Sequence, residues 1–316
     1  MNLITTLLNG TLKASGNSRL TETKANLKLN QILFDIRYTG SKPSDLAGES
    51  LEKLKKLHWL KDIMINVTHR VGSAGSASAG AISIFSDCSL YSLLFKSDFE
   101  GGFSVAVAQD ENKKAVEGTK AVPLRLVGCL DVGFFSMTSS QALDIAVSCA
   151  SVRMPSDVDL TISAVYFAEK LTTYKYYRSF KPTGGDQQYK NVLTVDYIGE
   201  QTVNKNAIIS DDNGAQTVNI EDAKALANSV GRFEMFTAFG ELYKEPYGVS
   251  QDVSIRVPND DEDAEVLITG LNFNPQLLND QGVENKANYD ALIEKIKLRD
   301  ADKYDYLVAI GMVNSK

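Results

Sequence analysis

Short segments in which apolar and polar residues alternate recur along the whole chain. At the middle of the chain, residues 158–167 place Leu160, Ile162 and Ala164 on one face and Thr161 and Ser163 on the other. Alternation with a period of two is typical of a strand with one buried face. The same pattern covers residues 27–38, 62–70, 249–257 and 264–271. The pattern predicts a mainly β protein made of many short strands.

The middle segment continues into a stretch rich in tyrosine, with Tyr174, Tyr176 and Tyr177. About 150 residues of similar strand-rich sequence lie on each side of it. We therefore predict an N-terminal arm (1–28), a first β-domain (29–170) and a second β-domain (171–316). At such a junction, tyrosine rings are expected to fill the seam between the domains while their hydroxyls reach water or backbone groups.

Helical patterns are few and short. Apolar spacing and start signals predict helices near residues 51–60, 87–96 and 219–230. The last of these carries Glu221 and Asp222 in its first turn and Gly231 beyond its end, as expected from the helix dipole and from C-terminal capping. Many strands with an occasional helix favour a sandwich or jelly roll over a parallel α/β fold.

The first 28 residues differ in charge from the rest of the chain. They hold Lys13, Arg19, Lys24 and Lys28 against Glu22, in a chain whose net charge is −7. The apolar residues near the start follow roughly helical spacing. This composition leaves two interpretations open: a loosely ordered terminus, or an arm that docks on a neighbouring subunit or on an anionic lipid surface.

Composition excludes several function classes. With 40 acidic and 33 basic residues, the chain lacks the positive excess that a general nucleic-acid binder needs. No apolar run approaches the roughly 20 residues that span a bilayer, and the start does not resemble a secretory signal. Cys88, Cys129 and Cys149 have no spacing typical of disulfides or of metal ligands, which favours buried thiols in a reducing compartment.

Motifs of catalysis are not found in the sequence. His58 and His69 lie outside any metal-ligand pattern, and the loop at residues 72–80 lacks the ending of a phosphate-binding loop. The one dense acidic cluster comprises Asp260, Asp261, Glu262 and Asp263, which we interpret as a solvated loop, with bound Ca²⁺ as the alternative. We assign no catalytic, cofactor-binding or metal-binding residue and expect a structural or binding protein instead of an enzyme.

The segment 34–44, FDIRYTGSKPS, resembles the early strand and turn of the major capsid proteins of tailless, icosahedral, membrane-containing bacteriophages. The corticovirus coat protein and that of the Flavobacterium lipid-containing phage are the members it is most similar to. The order of the predicted elements agrees, with two consecutive β-blocks and a helix after the first strand. The chain is longer than the corticovirus protein, mostly in its second half.

The resemblance implies a fold and a function. The fold would be a double jelly roll, two consecutive eight-stranded jelly rolls with a few short helices. Three chains would form a pseudo-hexagonal capsomer, and capsomers would build the virion shell over an internal membrane. The implied partners are other copies of the chain, penton and spike proteins, and a lipid bilayer contacted through the N-terminal arm. The chain would fold in the host cytoplasm and bind no specific nucleic-acid sequence.

Two alternatives remain at this point. The chain could be a two-domain β-sandwich adhesin or receptor-binding spike, with a site at its loop tips. It could also be a jelly-roll enzyme acting on carbohydrates, which would require two carboxylates facing each other roughly 5–10 Å apart across a concave sheet.

Overall fold

The computed structural model of the chain is built almost entirely from β-strands. It describes residues 4–14, 17–40, 57–71, 80–107, 122–137, 141–150, 154–166, 175–190, 192–199, 205–211, 214–222, 232–236, 252–259 and 264–271. The strands of this part form three sheets, which we call sheets A, B and C. The prediction of a mainly β protein is confirmed.

Strands of the first half of the chain make a sandwich of two facing sheets. They are β1 (Ile4–Lys13), β2 (Ser18–Lys24), β3 (Lys28–Gly40), β4 (Ile63–Val71), β5 (Gly80–Ser89), β6 (Ser104–Val107), β7 (Val122–Ser136), β8 (Ala142–Cys149) and β9 (Asp157–Val165). Sheet A has the order β1-β9-β3-β7-β6, and β5-β4-β8-β2 forms one half of sheet B.

Strands of the second half repeat this arrangement. They are β10 (Lys175–Phe180), β11 (Asp186–Lys190), β12 (Val192–Ile198), β13 (Asn206–Asp211), β14 (Gly214–Asn219), β15 (Arg232–Phe236), β16 (Asp252–Arg256) and β17 (Glu265–Leu271). The order β15-β12-β17-β10 forms the other half of sheet B, and β11-β16-β13-β14 forms sheet C.

These strand orders define the fold. In a jelly roll, eight strands lettered B to I in chain order pair as B-I-D-G in one sheet and C-H-E-F in the other. The first sandwich has this order when β1 is strand B and β9 is strand I, with β6 as an additional strand beside G. The second sandwich has it when β10 is strand B and β17 is strand I. The chain is therefore a double jelly roll, as expected.

The two rolls are joined through sheet B. Strand F of the first roll, β5, pairs in parallel with strand B of the second roll, β10, at Phe85–Tyr177 and Ser86–Arg178. Strands B and F run toward the same end of any jelly roll. The parallel pairing therefore places the B–C, D–E, F–G and H–I connections of both rolls at one common end of the molecule, which we call the F–G end.

Each roll has its own hydrophobic core, and the two cores lie on opposite faces of sheet B. In β17, Leu267 packs in the core of the first roll, whereas Val266 and Ile268 pack in the core of the second. Successive side chains of a strand point to opposite faces, so both faces of the second roll's half of sheet B are buried. Sheets A and C consequently lie on opposite sides of sheet B.

Two short helices lie wholly within the described residues, and residues 220–222 form the described part of a third helical segment. A 3₁₀ helix spans His58–Asp62, and one α-helix, α1 (Leu90–Phe99), follows β5 directly. The helix predicted near residues 87–96 is therefore confirmed, with a shift of a few residues. Helix α1 approaches β7 so closely that a Cβ added at Gly128 would overlap the Leu94 side chain. The glycine lets the helix pack on the strand, which continues unbroken to Ser136.

The N-terminal arm predicted for residues 1–28 is wrong for the described residues from Ile4 onward. β1 pairs with β9, and β2 pairs with β8, so both are strands of the first roll. The register of β1 shifts between Thr6 and Leu8, which indicates a bulge at Leu7. This extra residue brings Leu7, Leu8 and Leu12 all into the core and explains why their spacing resembled that of a helix.

Other expectations fall outside the described residues. The boundary predicted between residues 170 and 171 lies there and stays a prediction, as does any ion binding at Asp260, Asp261, Glu262 and Asp263. None of the helices described is long and apolar enough to cross a membrane.

Candidate functional site

The feature that distinguishes this fold from two separate sandwiches is the seam between the rolls. Helix α1 belongs to the first roll and packs against β12 and β17 of the second roll. It covers the face of the second roll's B-I-D-G sheet that points away from the second core. The side chains buried between the two rolls at this seam include the polar residues Lys96, Asp196 and Glu265.

The N-terminus of α1 is bound by a carboxyl group from the other roll. Ser89 caps the helix by accepting a hydrogen bond from the backbone N–H of Ser92 at 3.0 Å. Glu265, the first residue of β17, lies 2.5 Å from the Ser89 hydroxyl and also contacts the Ser92 hydroxyl. A carboxyl group at this position complements the positive end of the helix dipole. The contact joins residues 176 positions apart in the chain.

Burial decides the acidity of Glu265. Loss of water raises the pKa of this carboxyl above its ordinary value, and the hydrogen bonds of Ser89 and Ser92 and the charges of Lys61 and Lys181 offset this only in part. Burial therefore shifts the protonation equilibrium of this carboxyl toward its neutral form, relative to a glutamate in water.

The last turn of α1 is bound to the second roll by an ion pair. Lys96 Nζ lies 3.1 Å from Asp196 Oδ2 of β12 and donates a hydrogen bond to the Thr194 hydroxyl at 3.3 Å. The side chains of Lys96 and Asp196 are 4% and 0% exposed. Removing one member of such a pair leaves a buried charge without its counter-ion, so the loss of either side chain is costly when the rolls are docked.

Tyr177 fills the seam as predicted from the sequence. Its buried ring contacts Phe85, which in turn contacts Phe34 of sheet A, with ring centroids 5.4 and 5.8 Å apart. Its hydroxyl donates a hydrogen bond to the backbone carbonyl of Asp131 at 2.5 Å. Tyr176 packs on the core of the second roll, and Tyr174 lies outside the described residues. The interpretation as a seam residue is confirmed for Tyr177, whereas Tyr176 lies on the opposite face of β10 and packs within the second roll.

A hydroxyl group completes the contact between β5 and β10. Ser179 accepts a hydrogen bond from the backbone N–H of Ser89 and donates one to the carbonyl of Asp87, both at 3.0 Å. Asp87 has a φ of 49°, in the left-handed region. The Ser179 side chain thus satisfies backbone groups where the end of β5 departs from regular pairing.

The corresponding face of the first roll is the outer face of sheet A, and its polar groups are arranged differently. Asp35 of β3 accepts paired hydrogen bonds from Arg125 of β7 at 2.8 and 2.9 Å, and Arg37 adds a further contact at 3.1 Å. The Arg37 side chain is 62% exposed. Nearby, the Thr11 hydroxyl donates to Asp159 at 2.6 Å.

The arginines outweigh burial in setting the acidity of Asp35. Burial raises the pKa of Asp35. The hydrogen bonds and charges of Arg125 and Arg37 lower it by more than burial raises it, so the pKa lies below its ordinary value. Asp35 is therefore a stable anion between two cations.

The two histidines serve no common site. His58 stacks near Tyr91, with centroids 6.3 Å apart, whereas His69 is fully buried in the first roll. Burial lowers the pKa of His69 to about 4, despite its hydrogen bond with Gln141. Within the described ranges, no group of three or more His, Cys, Asp or Glu side chains could hold a metal ion.

Sequence reasoning missed the polar residues of the seam, namely Lys96, Asp196 and Glu265. The prediction that residues 264–271 form an alternating strand with one buried face is wrong, because both faces of β17 are buried. The signal was the run Val266, Leu267 and Ile268, since successive apolar residues are typical of a strand buried on both faces. A carboxylate at the start of such a strand has to meet a partner from another element.

Comparisons with known proteins give matches of structure and none of sequence. No protein-family model matches the chain, and no curated protein does. The crystal structure of the STIV major capsid protein matches with a TM-score of 0.46 and 9% identity, covering 85% of this chain and 96% of that one. The crystal structure of the major capsid protein P2 from bacteriophage PM2 matches with a TM-score of 0.43 and 10% identity, covering 85% and 97%. The fold assignment rests on the strand order of the chain itself.

Proposed function

We propose that this chain is the major capsid protein of an icosahedral virus, a structural protein and not an enzyme. The observation that carries the proposal is the presence of two complete jelly rolls in one chain. The rolls have the same orientation and are joined through one continuous sheet. The resemblance of residues 34–44 to membrane-containing phage coat proteins supports the same function.

The physical argument concerns symmetry. Three copies of a chain with two similar, parallel rolls place six rolls around a threefold axis, and such a ring has a nearly hexagonal outline. Hexagonal blocks tile the faces of a shell. The seam holds the two rolls of each chain together, because contacts at both ends of α1 join the second roll to the first.

The proposal also covers the partners of the chain. These are neighbouring capsomers, penton and spike proteins at the vertices, and an internal lipid bilayer beneath the shell. The location is the virion, after folding in the host cytoplasm. Three free thiols, two of them buried, are compatible with folding in a reducing compartment.

Mass photometry of the purified protein over a dilution series, with and without Ca²⁺, tests the proposal. We expect a discrete species of about three times the 34.5 kDa chain mass. A protein that stays monomeric in all conditions, at concentrations where capsid subunits assemble, contradicts it.

A further inference from the structure

Six strands form the edges of the three sheets in the described part of the chain, and they differ in charge. Sheet A ends at β1 and β6, sheet B at β15 and β2, and sheet C at β11 and β14. An exposed edge offers unpaired backbone groups to another chain, and proteins commonly prevent such pairing with short strands or charged side chains. Strands β2, β11 and β15 each carry two or more charged residues, and β6 has only four residues.

Strands β1 and β14 lack these protective features. β14, with the sequence GAQTVN, contains no charged residue. β1 has ten residues and no proline, and its one charged residue is Lys13 at its end. After the bulge at Leu7, residues 8–13 pair regularly with β9. Ile4 in β1 is 57% exposed and is the one exposed large apolar side chain among the described residues. These two edges are therefore the best suited to pair with a further strand.

The two edges lie at opposite extremities of the chain. Sheet B runs from β15 of the second roll, through the seam, to β2 of the first roll. In a jelly roll, strand B faces strand C across the sandwich, and strand F faces strand G. β1 therefore lies beside β2 at one extremity, and β14 lies beside β15 at the other. A contact between these edges joins one end of a chain to the opposite end of the next copy.

The seam shows how two rolls of this kind join. There, strand F of the first roll pairs in parallel with strand B of the second, and sheet B continues from one roll into the other. β14 is strand F of the second roll, and β1 is strand B of the first. A rotation about an axis along the strands keeps their direction. In a threefold ring, β14 of one copy and β1 of the next copy therefore also run in parallel.

We propose that β14 pairs in parallel with β1 of the next copy and joins the four strands of sheet C to the five strands of sheet A in one sheet between chains. The proposal rests on the capsid function, because it assigns the contact that closes the trimer. A closed ring requires a contact between two different surfaces of the chain, and these edges supply them. Around the ring, three F–B pairings within chains alternate with three between chains.

The pairing of β14 with β13 shows which backbone groups are available at the edge. Asp211 and Gly214 close a hairpin with a two-residue connection, and the closing pair of such a hairpin exchanges both of its hydrogen bonds. Hydrogen-bonded and non-hydrogen-bonded pairs alternate along an antiparallel ladder. The backbone N–H groups of Ala215 and Thr217 therefore point away from β13, toward the edge of sheet C. Both residues are exposed.

Proline at position 217 tests the pairing by sedimentation equilibrium. Proline removes the outward N–H and places a ring at the edge, while the hydrogen bonds between β14 and β13 are kept. We expect Thr217→Pro to raise the concentration for half-dissociation of the trimer about tenfold or more. The matched control Thr217→Ala changes the side chain and keeps the N–H, so we expect unchanged trimers. Circular dichroism melts verify folding, and Ala215→Pro replaces Thr217→Pro if that variant unfolds.

Hydrogen exchange of the wild type locates the contact. We expect the amides of β1 and β14 to exchange about tenfold or more slowly in the trimer than in protein diluted until it dissociates, because pairing protects N–H groups. The charged edges β2 and β11 should exchange alike in both states.

The outcomes separate the two proposals. A trimer that is weakened by proline and not by alanine, with protection of both β1 and β14, supports the pairing. A trimer that tolerates proline, that is weakened equally by alanine, or that protects neither strand overturns the pairing and leaves the capsid function standing. A wild type that never trimerises contradicts the capsid function itself.

Discussion

The B-I-D-G sheets of the two rolls each hold an aspartate on strand D, and the two aspartates have different environments. Asp196 of β12 is fully buried and pairs with Lys96, which comes from the other roll. Asp35 of β3 pairs with Arg125 and Arg37, which lie beside it in the same sheet and remain half exposed. Burial makes loss of either partner of the first pair costly, whereas the second pair stays in contact with solvent and is worth less.

Breaking the buried pair should have the largest effect. We expect Asp196→Ala to lower the free energy of unfolding by about 3–5 kcal/mol, because it removes the counter-ion of a buried ammonium group. Thermal or urea unfolding at fixed protein concentration measures the loss. The double variant Lys96→Met/Asp196→Leu should recover most of it, since it buries no charge. A loss below about 1 kcal/mol for Asp196→Ala would show that the pair is hydrated.

Truncating the exposed pair should cost less. For Arg125→Ala we expect a loss of about 1 kcal/mol, the upper end for a pair in contact with solvent, because the geometry with Asp35 is bidentate. For Arg256→Ala, in the fully exposed pair with Asp186, no measurable change in melting temperature is expected. If Arg125→Ala destabilised the chain as much as Asp196→Ala, the distinction between the two faces would be lost.

The stability contributions of Glu265 in the seam and of Asp35 on the outer face of sheet A should change with pH in opposite directions. The raised pKa of Glu265 means that its contribution is present below the ordinary pKa of glutamate and is lost as pH rises through the folded-state value. The lowered pKa of Asp35 has the opposite consequence: its contribution is present at neutral pH and is lost as pH falls toward the folded-state value.

Two neutral isosteres test this pH dependence. Relative to the wild type, Glu265→Gln should gain stability as pH is raised from 5 to 9, and Asp35→Asn should be less stable at pH 7 and equal to it in acid. Melting temperatures over the pH range 5–9 give the sign for Glu265, and an extension to about pH 2 gives the sign for Asp35, whose pKa lies below 3.8. If the melting temperatures of the wild type and Glu265→Gln changed in parallel with pH, the raised pKa of Glu265 would be contradicted.

The strands were predictable from the sequence because alternation is a local property. Residues 27–38 and 158–167 alternate cleanly, and both belong to strands of sheet A. Tyr177 was predictable as a seam residue because a tyrosine-rich stretch between two β-blocks has few other places to bury its rings. Helix α1 was predictable as a helix, but nothing local indicates which surface it covers.

Other parts were not predictable because they depend on pairing across the chain. The helical spacing of Leu7, Leu8 and Leu12 is produced by a bulge, which exists only when β1 pairs with β9. Lys96 and Asp196 are ordinary charged residues in sequence, and they become a buried pair only when the rolls dock. The docking itself follows from the parallel pairing of β5 with β10, a contact between the two halves of the chain.

Electron microscopy of the purified assembly tests the central claim most directly. If each chain contributes two parallel rolls to a threefold ring, class averages viewed along the axis will show six similar densities in a nearly hexagonal outline. Three compact lobes without the sixfold repeat, or an elongated single chain, would contradict the account.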